Sequence, residues 1–274
     1  MPSPFPRLFA LALLALAAPL SVAPAQAQAE RCPKLVATSP FLSPPRLTAI
    51  PAAMPGEREV SLTFVGHATF LIETAGGVTL ATDYNDYVRP SVVPRVATMN
   101  RAHSTHYSLN PDPGIERVLK GWREDRDPVH YDLEVGDLWI GNLPTNIRDW
   151  EGGTIKNGNS IFIFRAADLC IAHLGHLHHT LTPEDLGALG RIDIVLAPVD
   201  GSYTLDVDGM VEVLKALESP VVIPMHFFNP STLERFLAKL ADSRYTIARQ
   251  PTPTVVLSRA SLPTMPTVMV LPGR

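Results

Sequence analysis

The sequence predicts a layered α/β domain. Short strands with a two-residue period come first, buried strands then alternate with helices, and no internal repeat interrupts the progression. The 274 residues are 46% hydrophobic and 18% charged, enough apolar material for one or two domains with a sizeable core. The formal net charge of −4, with the self-neutralising run Arg123-Glu124-Asp125-Arg126-Asp127, argues against a nucleic-acid partner.

The N-terminus has the form of a cleavable export signal. Arg7 precedes an apolar stretch from Leu8 to Leu20, and the small-residue segment Ser21 to Ala29 carries two A-x-A sites, Ala25-Gln26-Ala27 and Ala27-Gln28-Ala29. The apolar core is short for a membrane span, so stable insertion is not expected. Residues 1–29 are therefore read as a signal peptide, residues 30–57 as an extended Pro/Ala-rich lead-in, and residues 58–274 as a single domain of an exported, periplasmic or secreted protein. The two cysteines, Cys32 and Cys170, leave two readings open: a disulfide to the mature N-terminus, or a small buried apolar residue at 170.

Val60 to Val65 alternates with a strand period and breaks at Gly66-His67-Ala68-Thr69. Phe70 to Glu73 and Val78 to Asp83 continue a meander, with His67 and Asp83 at strand ends. Tyr84 to Asn110 reads as loop, and a short helix is expected over Gly114 to Trp122. Leu138 to Leu143, Ser160 to Phe164 and Leu169 to Ala172 read as a second set of strands. Thr182-Pro183-Glu184-Asp185 is a helix start, with a cap, a Pro at the first turn and an acid three residues on. Ile192 to Ala197 and Val221 to His226 are buried strands, Met210 to Leu217 is a helix, and a further helix from Ser231 to Leu240 is capped by Ser231. In the Pro-rich tail only an edge strand at Thr254 to Ser258 is expected.

Four of the nine histidines fall in His173-Leu174-Gly175-His176-Leu177-His178-His179, where an apolar strand breaks at a glycine. Neutral imidazoles gathered at a strand end suit metal binding or proton transfer, and a solvated polar loop is the plain alternative. His103-Ser104-Thr105-His106 and His226 also lie at strand ends or in loops, the end of an open α/β sheet where ligands collect.

These stretches together resemble the metallo-β-lactamase-fold hydrolases, in the branch of ascorbate-phosphate lactonases and N-acyl-phosphatidylethanolamine phospholipases. Gly66-His67-Ala68-Thr69, Thr82-Asp83, His173-Leu174-Gly175-His176 and Ile223-Pro224-Met225-His226 carry the resemblance. It implies an α+β fold, a four-layer αββα sandwich, with a metal site between the sheets and hydrolysis by metal-bound hydroxide. The family's His-x-His-x-Asp-His falls on Arg101 to His106, so Arg101 replaces its first His and Thr105 its Asp. No His lies near Thr145-Asn146, and His176 stands where a bridging Asp belongs.

The resemblance then implies one transition metal, held by His106, His176 and His226 with His103 as a fourth ligand. All-imidazole ligation favours zinc and leaves iron or another transition metal open. His67 and His173 stand behind the ligands, and Arg101 puts a cation at the lost metal position. Asp83, at its strand end, and His178, as general acid, are the candidate catalytic groups; His179 is an alternative to His178, and an exposed loop is the rival reading for both. The expected substrate is a small molecule bearing an ester, lactone, amide or phosphodiester. Because several expected ligands are replaced, a non-catalytic binding module on the same fold is the competing reading. A periplasmic metal buffer using His178 and His179 is a third.

Overall fold

The structure, a computed structural model, describes Met1 and residues 55–240 and 244–273. The expected signal peptide, most of the lead-in and Cys32 lie outside the described residues.

The first three strands, β1 (Val60–Gly66), β2 (Thr69–Thr74) and β3 (Thr79–Ala81), form the expected antiparallel meander. Two more, β4 (Val96–Met99) and β5 (Arg117–Lys120), extend it in parallel. β4 lies inside the stretch read as loop. β5 replaces the helix expected over Gly114 to Trp122. Strand pairing wins there, because the open edge of β4 offers backbone partners to all four residues.

The second sheet opens with β6 (Asp132–Val135), β7 (Leu138–Arg148), β8 (Thr154–Ala166) and β9 (Leu169–His173), all antiparallel. Parallel pairing follows through β10 (Ile194–Pro198) and β11 (Val221–Met225). The tail supplies β12 (Thr246–Arg249), β13 (Thr254–Leu257) and β14 (Thr267–Val270). The sheet orders are β13-β1-β2-β3-β4-β5 and β12-β14-β11-β10-β9-β8-β7-β6. The tail therefore does more than add the expected edge strand: β13 closes the small sheet, and β14 is an inner strand of the large one. Its prolines fall outside the strands, at 251, 253, 263, 266 and 272, and leave the ladder donors intact.

Among the described residues, three α-helices connect these strands. α1 (Pro183–Leu189) begins with the expected capping box of Thr182 and Asp185. α2 (Val207–Leu217) is capped by Asp206. α3 (Pro230–Lys239) is capped by Asn229 rather than Ser231, because Pro230 occupies its first turn and the Asn229 side chain accepts from Thr232 N–H.

One core lies between the sheets, built from Leu62, Phe70, Ile72, Leu80, Phe162, Phe164, Ile194 and Ile223. A second packs the helices, through residues such as Met210, Leu214 and Phe236, onto the outer face of the large sheet at Ile163, Ala172, Val195 and Val222. Burying Phe162 or Phe164 completely is worth about 2–3 kcal/mol each. On the outer face of the small sheet, Ala81, Tyr84, Ala97, Met99 and Trp122 are packed by the loop residues Tyr107 and Ile115. The layered sandwich is thus as expected, with helices on the large sheet and, among the described residues, loops on the small one. It brings the C-terminal ends of β9, β10 and β11 beside the turns after β1 and β3.

Candidate metal centre

Every strand that ends at this edge delivers a polar residue. His67 is in the β1–β2 turn, Asp83 follows β3, His173 ends β9, Asp200 follows β10 and His226 follows β11. His67, Asp83 and His226 have φ of 53°, 41° and 56°. That left-handed backbone is unfavourable for residues with a Cβ, and here it turns three side chains inward at once. The His226 N–H donates to the His67 carbonyl at 2.7 Å and ties the two sheets together at this point.

The imidazoles converge. Ligand atoms of His67, His103, His106 and His226 all lie within 4.8 Å of one another. His106 Nε2 and His226 Nε2 are 3.1 Å apart, and His103 Nε2 and His176 Nε2 are 3.0 Å apart. Nitrogens about 2.0–2.1 Å from a tetrahedral zinc would be about 3.3 Å from each other, so the His106–His226 spacing is close to that of two nitrogens ligating a metal ion. The other ring nitrogens are held from behind. His106 Nδ1 meets Asp83 Oδ2 at 2.5 Å, and His226 Nδ1 donates to Asp200 Oδ1 at 3.1 Å. Asn100 Nδ2 donates to the second oxygen of Asp83 at 3.0 Å. Carboxylates behind imidazoles fix the ring so that Nε2 faces the site.

Charge is scarce in this cluster. Burial, reinforced by the neighbouring imidazoles, pushes His106 and His176 well below the usual histidine range. Burial also brings His67 down to about 3 and His103 to about 4. The same burial drives the Asp83 carboxyl up, against the hydrogen bond from Asn100. Asp200 goes the other way: burial would raise it, but hydrogen bonds from His226, Thr204 and the Ser202 N–H hold it well below the carboxylate range. Neutral imidazoles around buried carboxyl groups form a donor set that a cation completes.

The remaining expected residues are placed as follows. His173 is fully buried; its Nε2–H donates to the Ala68 carbonyl at 2.8 Å, and its Nδ1 accepts from Gly175 N–H at 3.2 Å, so it braces the loop after β9. His67 was expected behind the ligands, but its ring lies 4.1 Å from that of His226, inside the cluster. Arg101 does not occupy a metal position. Its guanidinium pairs with Glu124 at 3.1 Å, an exposed carboxylate that offers it charge without desolvation. Thr105 Oγ1 bridges His67 Nε2 at 2.8 Å and His103 Nδ1 at 2.7 Å. His178 Nε2 is 2.6 Å from His176 Nδ1, whereas His179 turns away to the Thr180 carbonyl and Asn146 N–H. Cys170 is fully buried and is not a free thiol.

Asp200, Asn100, Asn159 and Arg148 were not singled out in the sequence. Asp200 carried a usable signal, an acid two residues past the buried strand Ile194–Pro198, as Asp83 is past its own strand. The asparagines carried none.

Above the histidines opens a cavity of about 330 Å3 whose walls include His103, His176, His178, Arg148, Trp150 and Tyr203. Trp150, at the tip of the β7–β8 hairpin, is 92% exposed. Phe228 bridges Tyr203 (ring centroids 5.4 Å) and His226 (5.4 Å), placing an aromatic surface beside the imidazoles.

Comparison with known proteins agrees with this geometry. A model described as a Beta-lactamase superfamily domain matches residues 61–226. A UPF0173 metal-dependent hydrolase of Salinibacter ruber is 24% identical over 220 residues, spanning 67% of this chain and 92% of its own length. A UPF0173 metal-dependent hydrolase of Thermoplasma volcanium is 47% identical over 57 residues, a match that spans only 26% of that relative's length and 21% of this chain. Among solved structures, a candidate Zn-dependent hydrolase of the metallo-beta-lactamase superfamily from Thermotoga maritima superposes with a TM-score of 0.57 at 28% identity, covering 78% of this chain and 100% of its own.

Proposed function

The chain belongs to the beta-lactamase superfamily, matched over residues 61–226, and from that premise we propose that it is an exported metal-dependent hydrolase acting on a small molecule through one transition metal. One observation carries the metal: His106 Nε2 and His226 Nε2 meet at 3.1 Å, each ring held from behind by a buried carboxyl group. These two nitrogens are the core of the ligand set. His103, His67 and His176 are the rings within reach of it, and a set made only of imidazoles favours zinc. When bound, such a metal supplies Lewis acidity and a water of lowered pKa.

The chain's own residues do the rest. Asp83 and Asp200 orient the rings of His106 and His226, and Asp200 holds negative charge behind His226. Thr105 positions the rings of His67 and His103. The cavity admits a compact substrate, whose apolar part rests on Trp150, Tyr203 and Phe228 while its scissile ester, lactone, amide or phosphodiester group lies over the histidines. The export reading is supported by the Arg7, Leu8 to Leu20 and A-x-A pattern alone. Among the described residues no helix is long and apolar enough to cross a membrane.

Metal content of the purified protein beside a His106→Ala/His226→Ala double variant tests the proposal. About one zinc per chain in the wild type, lost in a folded variant, is the expected result and opens an esterase and phosphodiesterase screen. Unchanged metal in the variant would overturn the ligand assignment. The rival reading, a binding module on the same fold, draws on Thr105, a hydroxyl where the resemblance places a carboxylate. It predicts ligand capture by the cavity with no turnover of any member of that screen.

A further inference from the structure

A hydrogen-bonded chain from Arg148 through His178 to His176 walls one side of the cavity, and Arg148 and His178 stand outside the ligand set above. It starts at Arg148, the last residue of β7. The Arg148 main-chain N–H donates to His178 Nδ1 at 3.0 Å, and its Nε–H donates to the same atom at 3.1 Å. Its Nη2 is anchored on the Thr204 carbonyl at 2.7 Å, which keeps the guanidinium in place. Two donors aimed at one ring nitrogen leave no room for a proton there. His178 Nδ1 therefore presents its lone pair, and the His178 proton sits on Nε2.

That Nε2–H faces His176 Nδ1 at 2.6 Å. His176 Nδ1 must accept, so the His176 proton sits on Nε2, which faces His103 Nε2 at 3.0 Å on the cavity wall. The His176 backbone is held separately: its N–H donates to Asn159 Oδ1 at 2.7 Å, and Gly175 before it takes a φ of 60°. The ring has little freedom to exchange its two edges.

A ring nitrogen that holds a proton cannot give the same lone pair to a metal, and the other nitrogen of His176 is turned to His178. We propose that His176 serves the site as an N–H donor and not as a metal ligand, with Arg148 and His178 as positioning residues that set its tautomer. The group it serves is a substrate oxygen that gains negative charge during hydrolysis, an acyl or phosphoryl oxygen lying in the cavity against His176 and His103. The chemistry of that oxygen rests on the hydrolase reading; the tautomer does not.

Long-range 1H–15N correlation spectra of the histidines test it, on the full chain with zinc and after chelation, with metal content measured in parallel. The expected result is a His176 ring protonated at Nε2 and bare at Nδ1 in both states. His176→Gln, which keeps an N–H donor, should retain the zinc content of the wild type. His178→Phe removes the hydrogen bond that fixes the tautomer, and the two His176 nitrogen resonances should shift toward exchange of their roles. A His176 Nε2 that is bare in the zinc-loaded chain, or a zinc content halved or worse in folded His176→Gln, would overturn the proposal. Should His176→Gln fail to fold, the wild-type and His178→Phe spectra decide the matter. A wild type that binds no zinc defeats the hydrolase reading instead, and the tautomer is still read from the metal-free chain.

Discussion

Asp200 and His226 lie just beyond the ends of the neighbouring parallel strands β10 and β11, and Asp200 Oδ1 accepts the His226 Nδ1 proton at 3.1 Å. The other Asp200 oxygen is occupied by the Ser202 and Tyr203 N–H groups at 2.9 and 2.6 Å. The carboxylate can therefore turn only acceptor atoms to both sides, which leaves His226 Nε2 bare toward the site.

Asp200→Asn should weaken metal binding about 10- to 100-fold. The loop N–H groups take the amide oxygen, the amide NH2 faces His226, and the imidazole proton moves to the ligand nitrogen. Chelator competition on the folded variant measures this. An unchanged affinity would show that the pair is structural only.

Gly175→Ala should destabilise the domain by about 1–3 kcal/mol or more. Gly175 has φ of 60°, and a Cβ there would come within 2.5 Å of Asn100 Nδ2 and closer still to Asn159 Oδ1. Those side chains hold Asp83 and His176, so metal affinity should fall together with the urea midpoint. A variant as stable as the wild type would show that the turn tolerates a side chain.

Acid should destabilise the chelated protein partly through His173. Burial lowers this imidazole to about 4 from its ordinary 6.5, so between those values the unfolded chain binds the extra proton. Its contribution is complete above about pH 6.5 and is lost as the pH falls toward 4, at up to about 1.4 kcal/mol per pH unit. His173→Gln should show a shallower loss of stability over that window in denaturant titrations at stepped pH. Parallel slopes would exclude His173 as a contributor.

Trp150→Ala should leave the thermal midpoint nearly unchanged, since the ring is 92% exposed, while raising KM several-fold with little change in kcat on any substrate the screen finds. Such a split is the mark of binding shared by ground and transition states. A loss confined to kcat would place Trp150 in the chemistry instead.

Much of this molecule was legible locally. The alternation of Val60 to Val65, the capping box at Thr182 and Asp185, and the histidines at broken strand ends are patterns within a few residues, and the fold repeats them. The error at β5 had a local cause too, because six residues between glycines carry too weak a period to separate a helix turn from a strand. The tail was undervalued because its prolines flank β12 and β14, two strands that pair with each other while β14 also pairs with the earlier β11. Arg101 was assigned by motif position, yet its guanidinium found a nearby carboxylate that no motif specifies.

By itself, the sequence determined the layered class, the strand ends that carry imidazoles and the chemistry those imidazoles suit. Only the tertiary structure decided which nitrogens meet and which way they face. His106 and His226 are 120 positions apart, and Arg148 and His178 are 30 apart. Their contacts depend on sheet order and register, and those are fixed by packing over the whole core. A proton's position on an imidazole depends in turn on the partner behind the ring. For His226 that partner is Asp200, and for His176 it is His178, held by Arg148.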